Sequence, residues 1–332
     1  MSGRGRYDRS SRMKKIVIHI GTHKTGTSSI QEALERSRSH LQARSIWYAR
    51  TDREPHAHLP KHSSLTHALI KGGQAAEAEL SILLSEFTKS SCQTLILSAE
   101  GLSELDEKVL APLRSLSADF DVRVVGYLRR PDYYIEALWN QFCREGREKR
   151  SIVAFSKAPR VIERTNYAAL LDVWSCIGTV RAADFETAKR RGILGLFGEL
   201  AEIDLPAETE IHGNPSPSMN CAASLAMLNA DGADYDLQTV LAAFEADSRP
   251  FALGARRRQK LLEKVGPALD RLATEYGVSF DTDLPDEPED PLLQPETGAL
   301  IEALAFLASS RSPNASREHF VSTLKARLSR RG

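Results

Sequence analysis

Chemistry is most legible between residues 16 and 29, Ile-Val-Ile-His-Ile-Gly-Thr-His-Lys-Thr-Gly-Thr-Ser-Ser. An apolar run ends in Gly21; Lys24 then rises from a turn, and Gly26 opens a stretch of hydroxyl residues. The pattern reads as a strand feeding an anion-cradling loop and then a helix. Backbone N–H groups of Thr25, Gly26, Thr27 and Ser28 would converge on an anion, and the helix dipole would add to their pull. Thr22, His23 and Lys24 supply the side chains of the turn. A nucleoside-triphosphate loop needs its lysine directly after the second glycine, to reach the β- and γ-phosphates. Here Thr27 holds that position and the lysine comes two residues before Gly26, where it would meet a shorter phosphate chain. An ordinary glycine-containing strand-to-helix turn is the plainer alternative.

A second segment, residues 122–142, repeats the strand-to-helix form. Arg129 closes the strand and Pro131 suits a first helical turn. Ile135, Leu138, Trp139 and Phe142 then give one apolar face, expected to pack on the sheet. Together the two segments resemble the sulfotransferases that use 3′-phosphoadenosine 5′-phosphosulfate (PAPS). The resemblance rests on Lys-Thr-Gly-Thr-Ser-Ser-Ile-Gln and Arg-Arg-Pro-Asp-Tyr-Tyr-Ile-Glu-Ala-Leu-Trp-Asn-Gln and covers about residues 14–200. Bacterial members acting on glycans or other small acceptors are nearest in texture. It implies a P-loop-like sulfotransferase fold without metal, in which the residues from Thr22 to Ser28 hold the 5′ end of the donor and Arg129 holds its 3′-phosphate. In that family a serine stands eight residues after the arginine; here the position is Ala137, which has no hydroxyl. The lost hydrogen bond to a charged group would cost about 1.5 to 3 kcal/mol unless replaced. Arg130 or the run Arg256-Arg257-Arg258 offers a replacement, although such runs usually form solvated helix faces.

The implied reaction moves a sulfuryl group from PAPS to a hydroxyl or amine of a carbohydrate or small-molecule acceptor, leaving adenosine 3′,5′-bisphosphate (PAP). Lys24 would neutralise charge on the departing bridging oxygen. A base is still required. Glu100 follows the strand Thr94-Leu-Ile-Leu-Ser-Ala and projects at the sheet edge, as base or as a first-turn acid. His62 opens a helix after a polar loop and titrates near neutrality, as base or as a capping residue. His23 either touches the transferring group or shapes the turn. A rival reading, a P-loop nucleotide kinase, lacks the lysine at position 27 and has only Glu100 or Asp132 to hold magnesium. A degenerate nucleotide-binding protein is the non-enzyme alternative, favoured by Ala137 and opposed by Lys24 and Arg129. Tyr133, Tyr134 and Trp139 read as a sugar platform or as core.

These residues need a frame. Apolar and amphipathic segments alternate: strands at 15–20, 45–49, 93–98, the Arg129 strand and 179–185, with helices at 27–38, 63–72, 75–89, after Arg129 and at 165–176. The order predicts an α/β fold, a parallel sheet flanked by helices with ligands beyond the carboxyl ends of its strands. From about 203, prolines precede helical segments at 219–229, 236–246 and 254–276. An acid- and proline-rich loop at 281–296 and a helical pair at 297–309 and 315–329 follow. The expected division is a basic disordered leader at 1–13, a core at 14–202 and a helical C-terminal region at 203–332, assigned to acceptor binding or lid duty.

The 332 residues, 42% hydrophobic, suffice for one large domain with appendages. Basic and acidic residues balance at 44 each, so no global field favours nucleic acid. Cys92, Cys143, Cys176 and Cys221 lack metal-site spacing and read as reduced thiols. His56 and His58, in the polar loop from Arg50 to Lys61, have no evident partner ligands, so no metal is expected. No apolar stretch reaches the length of a membrane span, and a cytoplasmic protein is expected.

Overall fold

Ile16, Val17 and Ile18 are β-branched, consecutive and wholly buried, the composition of a central strand covered on both faces. The computed structural model describes residues 13–50, 61–205, 217–232, 235–245 and 250–284. Residues 1–12 of the leader, His56 and His58, most of the 281–296 loop and the final helical pair lie outside the described residues.

In chain order the elements are β1 (Lys15–His19), α1 (Thr27–Arg36), α2 (Arg38–Ala43), β2 (Ile46–Tyr48), α3 (Ser63–Lys71), α4 (Gly73–Lys89) and β3 (Thr94–Ser98). A 3₁₀ turn covers Glu100–Glu104, and the short helices α5 (Glu107–Leu110) and α6 (Leu116–Asp119) lead to β4 (Asp121–Leu128). Next come α7 (Pro131–Arg144), α8 (Ile152–Phe155), α9 (Pro159–Glu163), α10 (Tyr167–Ser175), β5 (Thr179–Asp184), α11 (Phe185–Arg191) and α12 (Ile193–Ala201). The described remainder holds α13 (Met219–Asp231), α14 (Leu237–Ala243) and α15 (Ala255–Tyr276).

The five strands form one sheet in the order β2-β3-β1-β4-β5, and all four pairings are parallel. The expected α/β architecture is therefore the observed one. β1 is central, with His19 level with Ser98 on β3 and Val125 on β4. β4 runs on to Leu128, so its carboxyl end stands beyond that of β1. The chain moves to one side of β1 through β2 and β3, then to the other through β4 and β5. Such a reversal opens a crevice at the carboxyl ends of the central strands.

Chain contacts divide the protein into two compact units. The first lies within 1–130, 166–213 and 267–280 and contains the sheet. One sheet face buries Ile16, Ile18, Leu95, Leu97 and Val124 with Leu83 and Phe87 of α4 and Leu171 and Trp174 of α10. The other buries Val17, Ile96, Val125 and Tyr127 with Ile30 and Leu34 of α1 and Leu194 and Phe197 of α12.

The second unit lies within 131–165, 214–266 and 281–332. Its core joins Ile135, Leu138 and Trp139 of α7 to Cys221, Ala222 and Leu225 of α13. The apolar face of α7 thus serves this helical core, whereas the sequence suggested sheet packing. The division also differs from the one expected at 202: 131–165 groups with the helical unit, and 267–280 with the sheet. Arg258, expected on a solvated face, is fully buried there and ion-pairs with Asp132 Oδ2 at 2.7 Å and with Glu136 Oε2 at 2.5 Å. Its guanidinium lies over the rings of Tyr133 and Phe251. Burial pushes the Glu136 carboxyl up, and Arg258 and the amides of Leu253 and Ala252 offset this in part. Tyr134 and Trp139 are core residues, with Trp139 Nε1–H donating to Arg150 O at 3.0 Å.

Candidate functional site

The loop after β1 is shaped by its own hydroxyl groups. Thr22 Oγ1 donates to Tyr127 O on the overhanging end of β4 at 2.9 Å, and Thr25 Oγ1 donates to Thr22 O at 2.6 Å. Those two hydroxyl protons are thus spent on the turn and are not offered to a ligand, which leaves the Thr25 backbone N–H untouched. Lys24 and Gly26 both have positive φ, 65° and 73°. Alternation of this kind turns successive N–H groups toward one concavity. Lys24 is a non-glycine residue in that region, a conformation held at a cost and concentrated at functional sites.

Helix α1 starts at this concavity without a side-chain cap and without an acid in its first turn. Its first amides carry the positive end of the dipole outward, where an anion is stabilised. Thr27 is buried, and its Oγ1 has no hydrogen-bond partner. Gly26 is required twice over: its φ is left-handed, and a Cβ there would come within 3.0 Å of the Phe185 ring. These features fit a phosphate or phosphosulfate group.

Arg129 follows the last residue of β4, and Tyr167 Oη donates to its carbonyl at 2.7 Å. Its guanidinium lies over Phe185, 5.7 Å from the ring centre, the same ring that abuts Gly26. Lys24 and Arg129 are thereby brought to one edge of the sheet. Glu186 Oε1 stands 3.5 Å from Arg129 Nε and occupies part of its charge. Arg130 is buried and is not a surface cation. Ala137 is also buried, on α7 in the second unit.

Glu100 opens the 3₁₀ turn immediately beyond β3, as the sequence places it. His23, beside Lys24, joins it: Nδ1 lies 3.6 Å from Glu100 Oε2, and Nε2 lies 2.6 Å from Glu104 Oε1. The imidazole thus stands between two carboxylates beside the Lys24 loop. Glu104 was missed by the sequence reading; its place four residues after Glu100, just past the same strand end, was the available signal.

His62 does not share this setting. It is buried, its Nδ1 accepts the Ser98 N–H at 2.9 Å, and its Nε2–H donates to Ala49 O at 3.0 Å. Burial lowers its pKa, and both ring nitrogens join the ends of β2 and β3. It acts as a splice between strands, with no nitrogen left to receive a substrate proton. Asp132, the other acid considered for magnesium, is held by Arg258. Among the described residues no three His, Cys, Asp or Glu side chains converge as a metal site, and no helix is long and apolar enough to cross a membrane. A cleft of about 600 Å³ opens at the amino ends of β4 and β5, beside Asp121, Thr179 and Tyr276, and no sequence-predicted site residue lines it.

No family model and no curated protein matches the chain. Among solved structures it is similar to a sulfotransferase from Alicyclobacillus acidocaldarius, at 13% identity and a TM-score of 0.47, over 80% of this chain and 96% of that one. It is also similar to the sulfotransferase domain from the curacin biosynthetic pathway, at 13% identity and a TM-score of 0.34, over 76% of this chain and 97% of that one. Likeness at this level decides no activity, which must be argued from the residues.

Proposed function

We propose that the chain is a PAPS-dependent sulfotransferase acting on a hydroxyl or amine of a carbohydrate or small-molecule acceptor. The carrying observation is the uncapped, acid-free start of α1 behind Lys24, with Arg129 brought to the same strand ends through Phe185. PAPS supplies an already activated sulfuryl group, so the protein needs positioning and charge stabilisation more than covalent help.

In this reading the amides of Thr27 and Ser28 and the Thr27 hydroxyl hold the 5′ end of the donor. Lys24 stabilises the negative charge that collects on the 5′-phosphate oxygen as its bond to sulfur breaks. Arg129 binds the 3′-phosphate, releasing Glu186 as it does so. Glu100 accepts the proton from the acceptor as the acceptor's oxygen or nitrogen bonds to sulfur. His23, held by Glu104, keeps that carboxylate oriented and passes the proton outward. A kinase reading is weaker, because Thr27 replaces the required lysine and Asp132 is committed to Arg258.

Calorimetric titration with PAP beside ADP, in chloride buffer without magnesium, tests the proposal. Selective binding of PAP is expected. Equal binding of ADP, or binding that requires magnesium, would favour the kinase, and binding of neither would favour a degenerate site. Lys24→Ala should abolish transfer to acceptor without unfolding the chain.

A further inference from the structure

Beneath the anion loop lies a line of buried polar groups that the proposed reaction does not use. Gln31, Ser98 and His19 are each buried, from three different elements of the sheet-bearing unit. Gln31 Nε2 donates to Ser98 Oγ at 3.0 Å, and it faces the Ser98 carbonyl at 3.4 Å, which fixes the amide orientation because two carbonyl oxygens would repel. Ser98 Oγ lies 2.8 Å from His19 Nδ1, and the tautomer that gives the serine proton an acceptor is the one in which Oγ–H donates to Nδ1. In that tautomer His19 carries its own proton on Nε2.

That Nε2 has no hydrogen-bond partner, and neither has Thr27 Oγ1. Both atoms border the same small space: a Cβ built on Gly21 would stand 2.1 Å from Thr27 Oγ1 and 3.0 Å from His19 Nε2. Buried polar groups without partners are rare and call for an explanation. Burial lowers the His19 pKa to about 3, so the ring stays neutral, with one fixed donor, at any working pH.

We propose that His19 is a positioning residue of the anion cradle: its Nε2–H and Thr27 Oγ1, unbonded to each other here, close on one another when a 5′-phosphate or phosphosulfate binds, and the threonine proton is then directed at an oxygen of that anion. With the anion bound, the donors would run one way, Gln31 to Ser98 to His19 to Thr27 to the anion, and Gly21 is the residue whose lack of a side chain leaves room for His19 and Thr27 to meet. The inference rests on the nucleotide reading above and adds to it a buried determinant of 5′-anion affinity.

The test compares PAP with adenosine 3′-monophosphate, which lacks the 5′ group, by calorimetry in chloride buffer. Wild type should prefer PAP. His19→Phe should lower PAP affinity about tenfold, the scale of one hydrogen bond to a charged group, and leave adenosine 3′-monophosphate affinity unchanged. His19→Gln, which keeps an N–H near the Nε2 position, should retain most of the preference. In a Thr27→Val background His19→Phe should add nothing, because the two act in series. Equal weakening of both ligands, or an undiminished effect in the Thr27→Val background, would overturn the role of His19. A wild type that binds the two ligands alike would instead overturn the donor assignment itself. Where Phe at position 19 blocks folding, Ser98→Ala carries the test, with a selective loss for PAP expected and its absence refuting the proposal.

Discussion

Replacing Gly21 by alanine adds one methyl group and should disrupt the loop through a single identifiable contact. Gly21 is not among the positive-φ residues, so alanine meets no backbone penalty there. The difficulty is steric: the new Cβ would lie 2.1 Å from Thr27 Oγ1, 3.0 Å from His19 Nε2 and 3.1 Å from His19 Cε1, where ordinary contacts begin at 3.4 Å. Thr27 and His19 are 1% and 0% exposed, so neither can retreat into solvent. Overpacking of this type costs about 1–3 kcal/mol. Because the shortest contact is to one oxygen, Thr27→Ala in the same chain should recover at least about 1 kcal/mol, well beyond the error of additivity. Gly26→Ala provides the control, since its clash is with Phe185 and its φ is 73°, and Thr27→Ala should not relieve it. Hydrogen exchange of peptides from β1 and α1 reads these opening energies locally. A cost under about 0.5 kcal/mol for Gly21→Ala, or no relief from Thr27→Ala, would refute the packing described beneath the loop.

Three further outcomes are expected. Arg258→Met should cost about 3–5 kcal/mol, read by hydrogen exchange in α7, because it removes the cation that faces two buried carboxyl groups, Asp132 and Glu136. Carboxyl groups whose folded pKa exceeds the unfolded one lose stability as pH rises through that range, so this deficit should shrink between pH 7.5 and pH 5; a pH-independent deficit would contradict it. Glu186→Gln should tighten PAP binding up to about fivefold, a small gain because the Arg129 pair is partly exposed, with no change for ADP; weaker PAP binding would show that Glu186 orients Arg129 instead. His19 and His62 have folded pKa values below the unfolded one, so unfolding takes up protons and stability falls as pH drops below about 6.5, by about 1.4 kcal/mol per unit for each ring. Urea unfolding of His62→Gln should show a shallower acid slope than wild type, and an equal slope would place the titration elsewhere.

The sheet was readable because its strands are short apolar runs, and β1, β3 and β4 fall where those runs stand. Lys24, Gly26 and Arg129 were readable for a related reason, since each sits where a strand ends and the chain must turn. The short helices α8, α9, α11 and α12 left too little periodicity to separate from loop. Arg258 was misread because a run of three arginines gives no sign that one of them meets two carboxylates from α7. His62 looked like a base because histidine titrates near neutrality, but its two backbone partners, Ala49 just past β2 and Ser98 at the end of β3, are brought to it only by the folded sheet. His19 had a visible signal, a polar residue alternating with Val17 toward a buried face, yet its partners Ser98 and Gln31 are fixed only by tertiary contact.

The bare start of α1 also bears on how the protein must be handled. A helix end that offers amides without an acid of its own attracts tetrahedral oxyanions as a class, sulfate and inorganic phosphate included. If the loop holds the donor's 5′ end as proposed, preparations made in phosphate buffer or eluted from ammonium sulfate would carry a competitor seated there. Apparent nucleotide affinities would then report the buffer as much as the chain, and exhaustive exchange into chloride should raise those affinities while lowering the melting temperature by the share the oxyanion had supplied.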